Sequence, residues 1–371
     1  SGGRVEDEWD RGIIGRAGGK LVLHPFSVPR AAARRLFELH PPWESRLPQT
    51  PQDRPLHVLI LGFGPQAQAI VLQTVRSCHF ADLQDVRITV VAPDVPGASV
   101  DEGWCRTHMP AWELVADIRF IQKEPTTLSE HEWALCQNER GDFDHIYVAV
   151  EDMGQGSGNG LGMASKLSGR IGTEPCTVVV YEEGTSERGV FPVWDEAVTL
   201  EAIISEQQDR MAQHIHQYYA KKYGDTRTWE VLTTDDRDSN RDQADHIWAK
   251  LGIIEAFTRS QRGHAQPDYP SASELAEAQR ALSRAKYEVD GEGDGDGEES
   301  SGATPLSMLR QLSECIELKA RLKKPSTGKE NPDYDQDLVE RLAQVEHRRW
   351  MASRICAGWV FGDPRNNRAK H

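Results

Sequence analysis

His57-Val58-Leu59-Ile60-Leu61-Gly62-Phe63-Gly64-Pro65-Gln66-Ala67 is the stretch that decides how this chain folds. Residues 57–61 read as a short, continuous apolar run, the mark of a strand buried on both faces of a parallel sheet. The pattern Gly62-x-Gly64-x-x-Ala67 follows at once and opens a helical stretch running to about Cys78. A strand, a glycine turn and a helix in that order suit a dinucleotide. The first glycine permits a tight turn, and the second lets the backbone approach a pyrophosphate. The small third position lets helix and strand pack closely. Pro65 falls in the first helical turn, where no hydrogen-bond donor is lost. The helix N-terminus then faces the phosphates. Gly62, Gly64, Pro65, Gln66 and Ala67 are the expected cofactor contacts, with Asp94 as the nearest acid for a ribose. Ala92 ends the second strand where an acid is commonest, so a fold retained without its ligand competes with nucleotide binding.

Outward from this stretch the chain alternates strand and helix. Strands are expected at 87–92, 118–121, 145–150 and 176–181, separated by helix-length spacers, which implies βαβ units and a parallel sheet. The expected α/β Rossmann-like domain covers 56–200. Gly154-x-Gly156-x-Gly158-Asn159-Gly160-x-Gly162 reads as a second glycine loop at the same sheet edge. Residues 1–55 form a lead-in with a helix at 28–39, where Ala31, Leu36 and Leu39 are apolar. A connector carrying Pro41, Pro42, Pro48, Pro51 and Pro55 follows. From 201 to 371 the pattern is mostly α-helical. Helices are expected at 202–223, from about Ser239 with Asp242 as its capping partner, at 271–287, 305–322 and 334–356. Ala244, Ile247, Trp248, Leu251 and Ile254 form one expected apolar stripe. Residues 288–300 hold seven acids and four glycines without a base, so a disordered acidic insert is expected over 288–303. Glu292, Asp294, Asp296 and Gly297 imitate a calcium loop, but its twelfth position is Ala303, where a bidentate Glu is needed.

The net charge of −15 over 371 residues argues against a coating for nucleic acid. No apolar run is long enough to span a bilayer. Six cysteines without a C-x-x-C pair read as reduced thiols of a cytoplasmic chain. No metal site is expected, since His214 and His216 are two apart and point to different helix faces. Ser1-Gly2-Gly3 and the abrupt Ala369-Lys370-His371 read as cut ends, so the chain is expected to be part of a longer protein. No Ser/His/Asp order, carboxylate pair or Walker loop is recognisable, and no catalytic residue is expected.

The densest chemistry lies at the end of the chain. Glu346-His347-Arg348-Arg349-Trp350 and Gly358-Trp359-Val360-Phe361-Gly362 precede Arg365, Arg368 and Lys370. Residues 346–371 carry six bases and two acids. Aromatic rings beside guanidinium groups can stack a base and hold a phosphate. Core tryptophans with solvated arginines are the plainer reading of the same residues.

The stretch HVLILGFGPQAQAI and the strand rhythm over 56–200 resemble the TrkA-N (RCK N-terminal) family. That resemblance implies a domain that binds NAD(H) or an adenine nucleotide and reports it to an ion channel or potassium transporter. The terminal E-H-x-R-W and G-W-x-F-G patterns resemble the RyR (ryanodine receptor repeat) domain. Met211 to Tyr219 looks like that family's first helix and Ser239 to Ile247 like its second, so the match covers 205–371. It implies a ligand pocket of Tyr218, Asn240, Arg241, Trp350, Trp359 and Arg365. Bacterial proteins of this combined type resemble the cytosolic part of two-helix channels. The resulting expectation is a homo-oligomeric, non-enzymatic module. It would sense a nucleotide-type small molecule and gate an N-terminal membrane pore or a partner. An NAD(P)-dependent oxidoreductase using Tyr218-x-x-x-Lys222 and an assembly scaffold without a ligand are the alternatives.

Overall fold

Strand β1 (His57–Leu61) is buried at all five positions, so it must lie in the middle of a sheet covered on both sides. The computed structural model describes residues 26–93, 102–140, 142–150, 158–171, 175–181, 189–199, 209–261 and 332–360. β2 (Val86–Ala92), β3 (Ala116–Gln122), β4 (His145–Val148), β5 (Cys176–Val180) and β6 (Val190–Pro192) complete a six-stranded sheet of order β3-β2-β1-β4-β5-β6. Every pairing is parallel. This is the order of a doubly wound, Rossmann-like dinucleotide fold. β6 is the strand missing from the sequence reading. It has only three residues and runs straight into a helical turn after Pro192.

Side chains of the central strands alternate between two cores. Val58, Ile60, Ile88, Val90 and Tyr147 face a layer containing α1 (Val28–Leu39) and α2 (Pro65–Ser77). Leu59, Leu61, Val91, Ile146 and Val148 face the opposite core, which includes Trp133 of α4 (Glu130–Arg140) and Met163 and Leu167 of α5 (Gly158–Ile171). α3 (Glu102–His108) lies between β2 and β3 in the chain, and α6 (Val193–Ala197) follows β6. Gly158, Gly160 and Gly162 belong to α5 rather than to a loop. Gly160 there lets the helix approach β5, since a Cβ would stand 3.3 Å from Val178 Cγ1. Residues 154–157 lie outside the described residues.

The expected lead-in helix is a core element. Ala32, Ala33 and Leu36 of α1 are buried in the same core as Ile70 and Val71 of α2. Residues 41–55 form no helix or strand, and Trp43, Leu47 and Leu56 anchor the segment in the core. Proline density leaves many carbonyls without a backbone donor, and side chains supply the donors instead. Arg46 reaches Arg54 O at 2.9 Å and Pro55 O at 3.0 Å. Gln84 reaches Pro51 O and Asp53 O at 2.6 and 2.9 Å. Buried Asp144 collects both Arg46 and Arg54 and accepts from the His57 amide at 2.8 Å.

Among the described residues α7 (Arg210–Tyr223), α8 (Thr234–Asp245), α9 (Ile247–Gln261) and α10 (Pro332–Cys356) follow. α8 starts earlier than its expected cap at Ser239, because Thr233 Oγ1 accepts from the Asp236 amide at 3.1 Å. The apolar stripe of α9 is also displaced. Ala249, Gly252, Ile253, Ala256 and Phe257 are buried, while Ile247, Trp248, Leu251 and Ile254 are only half-buried. Gly252 lies against Leu47, where a Cβ would stand 2.8 Å from Leu47 Cδ2 and the leucine would have to shift. Val345, Ala352 and Ile355 of α10 join the core shared with α1 and α2. The expected helices at 271–287 and 305–322, the acidic insert and its calcium-loop imitation lie outside the described residues. Cys78, Cys105, Cys136, Cys176 and Cys356 are free thiols.

Candidate functional site

In this strand order the chain leaves β1 for β2 on one side and returns from β3 to β4 on the other. Ligands of such sheets collect in the crevice at the carboxyl ends of those strands. Gly62 sits there with φ +106°. A Cβ on it would stand 2.3 Å from Ala149 O, and its amide donates to Val91 O at 2.9 Å. The position therefore requires glycine twice over, by backbone angle and by the close approach of the chain leaving β4. Gly64 caps α2 with φ −69° and ψ 180°, angles open to any residue. Pro65 occupies the first turn and is exposed. Ala67 is fully buried against the strand, as close helix–strand packing demands.

Gln66 is occupied inside the fold. It is buried, and its Nε2 donates to Pro29 O at 3.3 Å while its Oε1 accepts from Tyr181 Oη at 3.2 Å. Tyr181 follows β5 and packs edge-on with Trp194 at 5.8 Å. On the other flank, Phe63 meets Trp104 at 5.2 Å and Phe120 at 5.4 Å. Aromatic pairs thus stand on both sides of the glycine turn. Asp94 lies outside the described residues.

The body of α2 leads from this crevice into a ladder of charges in which Arg34 and Asp209 are buried and Arg30, Asp238, Arg241 and Asp245 are half-buried. Arg30 of α1 pairs with Asp238 at 2.7 Å, and Asp238 with Arg241 at 2.9 Å. Arg241 pairs with Asp209, Asp209 with Arg34 at 2.8 Å, and Arg34 with Asp245 at 3.0 Å. Asp245 then accepts from Gln73 of α2 at 3.0 Å, and Gln73 also donates to Ser77 at 3.1 Å. Burial pushes the Asp209 and Asp238 carboxyls upward, yet Arg34, Arg30 and Arg241 outweigh it and hold both below the usual range. Buried ions persist only when paired in this way. Arg30 and Arg34 are four residues apart on α1, and Asp238, Asp242 and Asp245 follow a four-then-three spacing on α8. Each set therefore shares one helix face. That spacing is the available sequence signal for these residues, and the apolar periodicity used to place the helices does not register it.

A second junction joins the loop after α2 to α9 and α10. Arg349 is fully buried and grips Glu346 through Nε and Nη2 at 3.0 and 2.8 Å. Lys250 meets the same carboxylate at 2.5 Å. Arg348 pairs with Asp85, and Ser353 donates to Asp242. Of the C-terminal bases, Arg348 and Arg349 are thus paired with acids, Asp85 and Glu346; Arg365, Arg368 and Lys370 lie outside the described residues. His79 Nε2 bonds Val75 O at 2.7 Å, and His246 Nε2 bonds His79 O at 2.8 Å. Burial holds His79 down at about 3 and His246 well below its ordinary value. Asp82 is 4% exposed and its Oδ1 has no hydrogen-bond partner. Burial pushes its carboxyl up to about 6, against the opposing Gln84 amide and Arg348.

Of the six residues expected to share a pocket, the five described fall into separate contact groups. Tyr218 is 62% exposed, with Lys222 over its ring at 5.7 Å. Asn240 donates to Asp236 O within α8 at 2.8 Å. Arg241 is spent in the charge ladder and lies over Trp229 at 5.7 Å. Trp350 and Trp359 do come together, through Arg354, whose guanidinium lies 5.6 and 5.3 Å from their ring centres. Gly358, at φ +81°, reverses the chain so that the Trp359 amide donates to Arg354 O at 2.9 Å. Arg365 lies outside the described residues. Among the described residues no cluster of His, Cys, Asp and Glu suits a metal ion, and no helix is long and apolar enough to cross a membrane. No family model matches this chain, and neither a curated protein nor a solved structure gives a significant match.

Proposed function

We propose that this chain is a non-enzymatic regulatory module that binds a nucleotide-type ligand, NAD(H) or an adenine nucleotide, at the carboxyl edge of the sheet. The observation that carries the reading is the course of α2. Its N-terminus opens from the glycine turn at Gly62 and Gly64, and its later turns carry Gln73 and the chain onward to His79. A ligand phosphate drawing on the helix N-terminus would act on an element that the charge ladder ties to α1 and α8. The helical part from 209 onward is read as a RyR-like module, in which Arg354 lies between the Trp350 and Trp359 rings. The output passes to an N-terminal membrane pore or a partner subunit. The ladder joins α1, α2 and α8, so the signal travels as a shift of the three together. A dehydrogenase reading gains nothing from Tyr218 and Lys222, which stack on an exposed helix face.

Titration calorimetry of the whole chain with NAD(H), ATP, ADP, ADP-ribose and cyclic nucleotides tests the proposal. Binding by one of these, with altered amide exchange in α1 and α8, is expected. A well-folded sample that binds none of them refutes it.

A further inference from the structure

The loop between α2 and β2 is clamped at both ends and strained in its middle. Leu83 has φ +55°, the one positive value at a non-glycine residue among the described residues. A bulky side chain takes the left-handed region only where its surroundings impose it, and such positions cluster at switching segments. The surroundings here can be named. Before Leu83, His79 Nε2 donates to Val75 O, and His246 Nε2 donates to His79 O from the junction of α8 and α9. The Leu83 amide itself donates to Phe80 O at 3.1 Å. After it, Gln84 Nε2 donates to Pro51 O and Asp53 O in the proline connector. Asp85 then pairs with Arg348 of α10. The loop thus fastens the connector, the end of α2 and α10 to one another.

At the centre of this clamp sits a carboxyl with little to hold its charge. Asp82 is buried and accepts from the Gln84 amide, but its Oδ1 has no hydrogen-bond partner. The charged groups that face it are Arg348 from α10 and Arg46 and Asp53 from the connector. Both arginines are engaged elsewhere, Arg348 by Asp85 and Arg46 by Asp144. A buried carboxylate oxygen without a donor is costly, and a protonated carboxyl avoids that cost. The clamped loop therefore suits the protonated side chain, and the ionised side chain is better solvated outside it. His79 and His246 do not change charge between pH 4.5 and 7.5, because burial holds the first at about 3 and the second well below its ordinary value.

We propose that residues 79–85 form a proton-controlled latch, fastened while Asp82 is protonated and released when Asp82 ionises and turns to solvent. On release the proton passes to water, Leu83 leaves the left-handed region, and Asp85 lets go of Arg348. Ambient pH is thereby coupled to the seating of α10 against α2 and the connector. The orphaned Asp82 oxygen supplies the drive, and the strain at Leu83 keeps the fastened form from being too secure to open. The inference stands independently of the nucleotide reading.

Amide hydrogen exchange of the whole chain at pH 4.5 and 7.5, corrected for intrinsic rates, tests it at Leu83 and Gln84. Burial raises the Asp82 pKa from 3.8 to about 6, so proton linkage should increase loop opening by about tenfold or more across that interval. At pH 7.5 both amides should exchange at least about tenfold faster than those of β1, at a rate that low guanidinium does not change. D82N should hold both amides equally protected at the two pH values. The wild type gives a second measurement, since the carbon-13 shift of the Asp82 carboxyl should reach its midpoint where the loop exchange levels off. Loop amides that exchange no faster than those of β1 overturn the proposal, because the loop then opens only with the whole chain. So do loop rates that ignore pH, a D82N loop that responds to pH as the wild type does, or an Asp82 carboxyl that titrates near 3.8.

Discussion

Replacing Asp82 with Asn should stabilise the protein above pH 6 and change little near pH 4. Asp82 is buried with one carboxylate oxygen unpartnered, and burial raises its pKa from 3.8 to about 6. The folded chain therefore binds a proton at Asp82 more tightly than the unfolded chain does. Below pH 3.8 both states hold the proton and nothing is lost. As pH rises from 3.8 to about 6 the unfolded state ionises first, so folding stability falls. Above about pH 6 the loss is complete. Two pKa units correspond to about 3 kcal/mol. Asparagine can keep the hydrogen bond from the Gln84 amide and carries no charge to bury. The variant should then exceed the wild type by about 2–3 kcal/mol at pH 8, with the difference shrinking toward zero near pH 4. Guanidinium unfolding followed by tryptophan fluorescence, repeated across pH 4–8, measures this directly. His79 and His246 act in the opposite sense. Their lowered pKa values cost stability as pH falls below 6.5. That cost is common to both proteins and cancels in the difference. A variant-minus-wild-type difference that does not vary with pH would refute the reasoning, because a packing change carries no proton.

Two further outcomes follow from contacts at the crevice and the ladder. Gly62→Ala forces a Cβ to 2.3 Å from Ala149 O at a positive φ, so it should cost about 3 kcal/mol or more and remove nucleotide binding, as read by thermal unfolding and calorimetry. Arg34→Met leaves Asp209 and Asp245 buried beside one fewer cation, which should cost about 3–5 kcal/mol; amide exchange should rise in α1 and α8 while β1, β2 and β4 stay protected.

Residues whose burial follows apolar periodicity were legible in the sequence, and residues buried as ions were not. β1 and α1 are bounded at the residues that the sequence indicates, because an unbroken apolar run and a proline-started amphipathic stretch each have one interpretation. α8 was misplaced because Thr233-x-x-Asp236 and Ser239-x-x-Asp242 have the same capping spacing. Only tertiary packing chooses between them, by turning Asp242 toward Ser353. Arg349 was read as part of a basic end, although Glu346 three residues earlier was the sign of an internal pair. Gly62 was legible because a strand–glycine–helix turn admits few other residues. The inward turn of Gln66 was not, because Pro29 and Tyr181 are distant in sequence.

The ladder also bears on the order in which the chain is made. Arg30 and Arg34 leave the ribosome well before their partners, since Asp238 and Asp245 lie 208 and 211 positions later. At about 5–20 residues per second, the two arginines wait roughly 10–40 s for their partners. The strands from β1 to β5 can assemble in that interval with the apolar side of α1 packed on α2, while Arg30 still lacks the acid it pairs with. Premature release or a truncation just before residue 238 would therefore leave the sheet with Arg30 unpaired and Arg34 held by Asp209 without Asp245. That nascent form would be a target for chaperones and proteases.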